Sequence, residues 1–242
     1  MERNQRSSRR AAMVTGVVAV AVVLAMMPAV PAQGQDSGSG QRKPRVLPHI
    51  SNVYGNTYGE WSARWWQWLM SIPEATNPNL DTTGANCAEG QAGPVWFLAG
   101  TFGGPVTRSC TVPAGKALFF SPLNQLNGAG VFDCEPTAPG LCNLNVLRGL
   151  AAESMDRPRK IEVTVDGIAL QPKYRVQSPV MTLTFPEGAV FELPSGTFTP
   201  NVSDGYWVML APLSRGAHTI HLKAVSNSGF EVEVTYNLTV GP

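Results

Sequence analysis

The sequence predicts a mainly β protein: an antiparallel β-sandwich of Ig-like or jelly-roll connectivity, with one N-terminal Trp-rich helix and a second short helix. Three observations lead there. With 24 Gly, 20 Pro and only 14% charged residues, the composition suits turn-rich β structure better than helices. From Pro94 onward, short β-branched and aromatic runs alternate with Gly and Pro, the pattern of strands and turns. Only 57–73 and 145–156 space their apolar residues at a helical period.

The elements follow in chain order. Arg3, Arg6, Arg9 and Arg10 precede the apolar run "AAMVTGVVAVAVVLAMM", and "PAVPA" follows it. This is the pattern of a secretory signal peptide over residues 1–32, cleaved after Ala32. The run from Ala11 to Met27 falls short of the roughly 20 residues of a spanning helix, so cleavage is expected rather than a retained anchor. Arg9 and Arg10 also permit twin-arginine export, although the surrounding motif is incomplete. Residues 33–48, rich in Gly, Ser and Gln, read as a disordered linker. Residues 49–242 read as a single β-sandwich domain with its N-terminal helix packed on it.

That helix opens at "TYGE", where Thr57 and Glu60 have the spacing of a capping box, and Pro73 ends it. Turning 100° per residue puts Trp61, Trp65, Trp68, Leu69 and Ile72 on one face. Glu60, Arg64, Gln67 and Ser71 form a polar stripe, and Trp66 and Met70 lie on the remaining side. Strands are expected at "PVWFLAG", "VTRSCTV", "KALFFSP", "KIEVTVDG", "VMTLTF" and "YWVMLAP". The C-terminus reads as a hairpin, "AHTIHLKAV" and "FEVEVTYNLTV" joined at "SNSG". Val232, Val234, Tyr236, Leu238 and Val240 share its buried face. Residues 145–156, with Val146, Leu147, Leu150 and Ala151, form the second helix.

Charge and cysteine usage exclude several function classes. Without residues 1–32 the chain has 14 basic and 16 acidic residues, and no basic stripe for nucleic acid or an anionic membrane. Four cysteines in an exported chain favour two disulfides. Of the three possible pairings, Cys87–Cys110 and Cys134–Cys142 each close a local loop. There is no Cys-x-x-Cys, and the three histidines are remote from the cysteines, so neither a metal site nor a cofactor is expected.

The segments "YGEWSARWWQWLMSIP", "CAEGQAGPVWFLAGTFGG" and "CTVPAGKALFFSPLN" resemble a family of exported bacterial proteins that has no assigned activity. The resemblance covers residues 54–125 and implies a secreted, β-rich protein. It supplies no catalytic residue.

Candidate chemistry is sparse. Glu60 and Arg64 have the spacing of an exposed helical ion pair, worth only about 0.3–0.5 kcal/mol. Alternatively Glu60, Arg64 and Gln67 face a cleft rimmed by indoles such as Trp66, suited to a sugar ring. The segment "SPLNQLNGAGVFDCEPTAPGLC" reads as a long loop clipped by Cys134 and Cys142, and it offers Asn124 and Asp133 as ligand-binding candidates. Strand geometry sends His218 and His221 to opposite faces. No G-x-S-x-G nucleophile motif occurs, and no Ser-His-Asp set can be placed. Glu60, Asp81, Asp133 or Glu135 are the carboxylates available for glycoside chemistry. The expectation is a secreted, non-enzymatic protein that binds a ligand, a glycan or a cell-envelope partner. The alternatives are a carbohydrate-active enzyme with paired carboxylates and a structural or assembly subunit of the envelope.

Overall fold

The computed structural model describes residues 43–131, 134, 143–171 and 173–241. Helix α1 spans Tyr58–Met70 and α2 spans Leu144–Met155. The strands are β1 Val95–Phe97, β2 Gly104–Pro113, β3 Ala117–Gly128, β4 Lys160–Val165 and β5 Ile168–Ala169. They continue with β6 Tyr174–Gln177, β7 Met181–Phe185, β8 Gly196–Leu210, β9 Gly216–Val225 and β10 Glu231–Gly241. The protein is mainly β with two helices, as its composition predicts.

One sheet has the order β1-β3-β8-β6, with β7 also on β8; the other is β2-β10-β9-β4-β5. Both sheets are mixed rather than wholly antiparallel, because β1 pairs with β3 and β2 with β10 in parallel. Parallel neighbours cannot be joined by a hairpin. Here the chain between the members of each parallel pair visits the other sheet.

Two apolar cores give the domain three layers. Leu118, Phe120, Val208 and Leu210 of the first sheet meet Val163, Ile220, Leu222, Val234 and Leu238 of the second. On the first sheet's outer face, Phe119, Trp207 and Met209 meet the indoles of α1. That sheet is covered on both faces, which is why β3 is buried without alternation from Ala117 to Leu123. Strand β10 buries one face only and alternates. Helix α2 covers the far ends of β3 and β8, with Leu147 against Val202 and Met155 against Leu123.

Helix α1 has the capping box: Glu60 N donates to Thr57 Oγ1 at 3.2 Å, and Thr57 N donates to Glu60 Oε2 at 2.7 Å. All four of its indoles are buried. Trp61 Nε1 donates to Val53 O, Trp65 Nε1 to Leu98 O and Trp68 Nε1 to Glu89 O. These bonds tie the helix to the loops on either side of it.

The chain joins the first sheet already at 45–47. Val46 bridges to Leu210, Leu47 N donates to Met209 O, and Arg45 O accepts from Ala211 N. Cys87 and Cys110 form a disulfide. Cys134 is buried and disulfide-bonded, whereas Cys142 lies outside the described residues, as do residues 1–42. Among the described residues, no helix is long and apolar enough to cross a membrane.

Candidate functional site

The site begins at a proline. Pro122 has no N–H to give the sheet ladder, and proline inside a strand is confined to edges and bulges. Accordingly the β3–β8 register shifts between Phe120 and Leu123, and Ser121 Oγ bridges the opening to Tyr206 O at 2.7 Å. A cavity of about 200 Å³ lies against this bulge.

Three parts of the fold build it. Trp65, Trp66 and Met70 come from α1, and Leu123, Asn124 and Leu126 from β3 beyond the bulge. Phe102 and Phe230 come from loops and Phe191 from the short 3-10 turn Val190–Glu192; Phe191 and Phe230 are 45% and 46% exposed. The Phe102 and Phe191 rings meet edge-on at 4.5 Å. Phe191 and Glu192 both have left-handed backbone, φ 60° and 56°, which costs a side-chain-bearing residue about 1–2 kcal/mol. Such strain clusters at ligand clamps.

The cavity wall is mostly apolar, and among the described residues its lining includes no Asp, Glu, Lys, Arg or His. Two buried polar atoms of lining residues are nevertheless unpaired among the described residues: Trp66 Nε1, a donor, and Asn79 Oδ1, an acceptor. Their residues are 7% and 5% exposed. Asn79 Oδ1 lies beside Gly100, another lining residue, where an added Cβ would stand 3.6 Å from it. Leaving such groups unpaired costs about 1–3 kcal/mol each.

A buried cation holds this wall. Arg108 is 1% exposed and spends its guanidinium on carbonyls: Nε to Asp81 O, Nη1 to Ala99 O and Gly100 O, and Nη2 to Asn79 O. Tyr236 Oη accepts from Nη1 at 2.8 Å and donates to Ala99 O at 2.7 Å. Burial raises the Tyr236 phenol above its usual pKa, against the opposing pull of Arg108. Asn77 positions Asn79 from the other side. Its Nδ2 caps the Leu69 and Ile72 carbonyls at the end of α1, and its Oδ1 accepts from Asn79 N at 3.0 Å. Burial also pushes the Asp81 carboxyl upward, but hydrogen bonds from Asn86 N, Thr83 N and Thr83 Oγ1 outweigh it and leave the pKa lowered.

Trp66 and Asn124 are brought together at the cavity. Glu60, Arg64 and Gln67 do not line it. The backbone N–H of Thr57, followed by its hydroxyl, lowers the Glu60 carboxyl. Arg64 is exposed over the Trp61 ring at 5.5 Å, and Gln67 Nε2 donates to Thr182 O at 3.1 Å. Asp133 and Glu135 lie outside the described residues. Sequence reasoning missed Asn79 and Arg108, yet Arg108 shares its strand face with the buried Cys110 and Val112, and period-two counting alone places it inward.

Residues far apart in sequence also assemble a Ser-His-Asp set. His218 Nδ1 lies 2.8 Å from Asp166 Oδ2, and Nε2 lies 3.3 Å from Ser214 Oγ. Nε2 is closer, at 2.9 Å, to the Ser214 carbonyl. These contacts join the turn after β4 to the loop before β9, and the cluster reads as a clamp between the two.

No family model, curated protein or solved structure matches this chain.

Proposed function

We propose that this is an exported binding protein that holds a small organic molecule in the cavity beside Pro122. The observation that carries this reading is an aromatic-lined cavity of about 200 Å³ that, among the described residues, has no charged side chain in its lining. Binding sites have this composition, mostly apolar with a few polar groups that fix orientation. Among the described residues no carboxylate lines the cavity, so binding rather than paired-acid glycoside chemistry is the reading they favour. Export is supported by the leader-like residues 1–32 and by the Cys87–Cys110 disulfide.

The test is a thermal-shift and calorimetric screen of residues 33–242 against toluene, p-cresol, indole and cyclohexanol, with Leu193→Trp as a cavity-filling control. A bound ligand at ten times its Kd stabilises the fold by about 1.4 kcal/mol. Wild-type protein is expected to respond to at least one compound and Leu193→Trp to none. Silence from the wild type across the panel contradicts the reading.

A glycan or cell-envelope partner is a second reading, favoured by one observation. A polar groove shares Leu123, Asn124, Gln125 and Phe230 with the cavity and adds Ser226, Asn227 and Ser228. Retention of a glycan that is lost on Asn124→Ala supports it.

A further inference from the structure

Resting on the binding function proposed above, we infer that the ligand is a glycoside, whose apolar aglycone enters the cavity beside Pro122 while its sugar lies in the adjoining polar groove. Two spaces of unlike chemistry meet at one wall. Leu123, Asn124, Gln125 and Phe230 line both of them. Beyond that wall the cavity continues over Trp65, Trp66, Met70 and Leu126. The groove continues over Asn127 of β3, Glu153 and Ser154 of α2, and Ser226, Asn227 and Ser228 of the turn between β9 and β10. A ligand that occupies both is therefore apolar at one end and polar at the other.

The groove selects the polar end. Its amides and hydroxyls each supply a donor and an acceptor, which is what the hydroxyls of a sugar require. An ionised Glu153 only accepts, so it pairs with a hydroxyl and repels a phosphate or sulfate. Phe230, 46% exposed, offers a ring on which the C–H face of a pyranose can stack. These groups are braced rather than loose. Asn227 Nδ2 donates to Glu153 O at 3.0 Å, and Phe230 N donates to Ser226 Oγ at 3.0 Å. The turn is thereby tied to α2, and a site held in place loses less entropy when its ligand arrives. The cavity selects the other end, since the Trp65 and Trp66 rings and Met70 suit an apolar aglycone and leave a sugar without partners.

Calorimetry separates the two halves in the wild-type protein. The probes are phenyl β-D-glucoside, phenyl β-D-galactoside and phenyl α-D-mannoside, their methyl counterparts, toluene and phenyl phosphate. At least one phenyl glycoside should bind about tenfold or more tightly than both toluene and its own methyl counterpart, and more tightly than phenyl phosphate. Asn227→Ala removes an amide from the groove alone, so the affinity of that phenyl glycoside should fall about 3–10-fold while toluene affinity is unchanged. Leu193→Trp should abolish the binding of both. If no phenyl glycoside exceeds its two halves, or phenyl phosphate binds as tightly as the best of them, the ligand class is overturned and the cavity reading stands on the screen above. A folded Asn227→Ala that keeps the full glycoside affinity does the same. Silence from every probe, together with silence across that screen, overturns both. The wild-type comparison decides the matter even if a variant fails to fold.

Discussion

Arg108 Nη2 donates to the carbonyl of Asn79 at 3.1 Å, so a buried cation on β2 holds a residue that lines the cavity and whose buried side-chain oxygen is unpaired among the described residues. The same guanidinium reaches Asp81, Ala99 and Gly100. A segment before Cys87 and one inside the loop that Cys87–Cys110 closes thus converge on one side chain, and among the described residues no carboxylate is a hydrogen-bond partner of it.

Removing that side chain should be severe. Arg108→Met leaves several buried carbonyls without donors, and losing one partner of such a network costs about 3–5 kcal/mol. Arg108→Lys keeps the charge but not the planar fork, and it should recover less than half of the loss. Urea midpoints of the two variants and wild type measure both effects.

The indoles of α1 separate anchors from ornaments. Trp65→Ala empties a fully buried site that also donates to Leu98 O, and it should cost about 3–5 kcal/mol. Arg64→Ala loses an exposed cation–π contact and should cost less than about 1 kcal/mol. Thermal denaturation orders the pair, and Arg64→Ala should leave ligand affinity unchanged.

Acid should loosen the loop that carries Asp81. Its carboxyl pKa is lowered in the folded state, so its stabilising contribution is complete well above the unfolded value of about 3.9 and is lost as the pH falls through the lower folded value. Asp81→Asn should therefore be less stable than wild type at pH 7, and the gap should close as the pH falls below about 4. A gap that widens on acidification contradicts the assignment.

The Cys87–Cys110 bond closes a loop of sequence separation 23. Loop-closure entropy predicts that Cys87→Ser with Cys110→Ser costs about 3 kcal/mol. The loss should appear as a lower denaturation midpoint, and the reduced wild-type protein, which also loses the Cys134 disulfide, should fall lower still.

Much of the scaffold was legible in the sequence because it rests on local periods. The capping box at Thr57 and Glu60, the helix over Tyr58–Met70, the hairpin of β9 and β10 and the Cys87–Cys110 pair all follow from spacing. The mixed sheets were not legible, since the parallel partners β2 and β10 stand at opposite ends of the domain sequence. The cavity was half legible. Trp66 could be named from helix geometry, whereas Asn124, expected in a long loop, stands in strand β3. Asn79, Phe191 and Phe230 reach the same space only through tertiary packing. The Glu60–Arg64–Gln67 stripe looked like a site because polar residues beside indoles resemble one, whereas capping and a strap to Thr182 account for Glu60 and Gln67.

The indole N–H resonances of the six tryptophans offer the most direct measurement. In a two-dimensional ¹H–¹⁵N spectrum titrated with p-cresol, the Trp66 Nε1–H signal, assigned by its loss in Trp66→Phe, should move downfield and saturate with the calorimetric Kd. The Trp61 and Trp68 signals, whose N–H groups already donate to Val53 O and Glu89 O, should stay in place. A Trp66 signal that does not move while p-cresol is bound would contradict the claim that this cavity is the site.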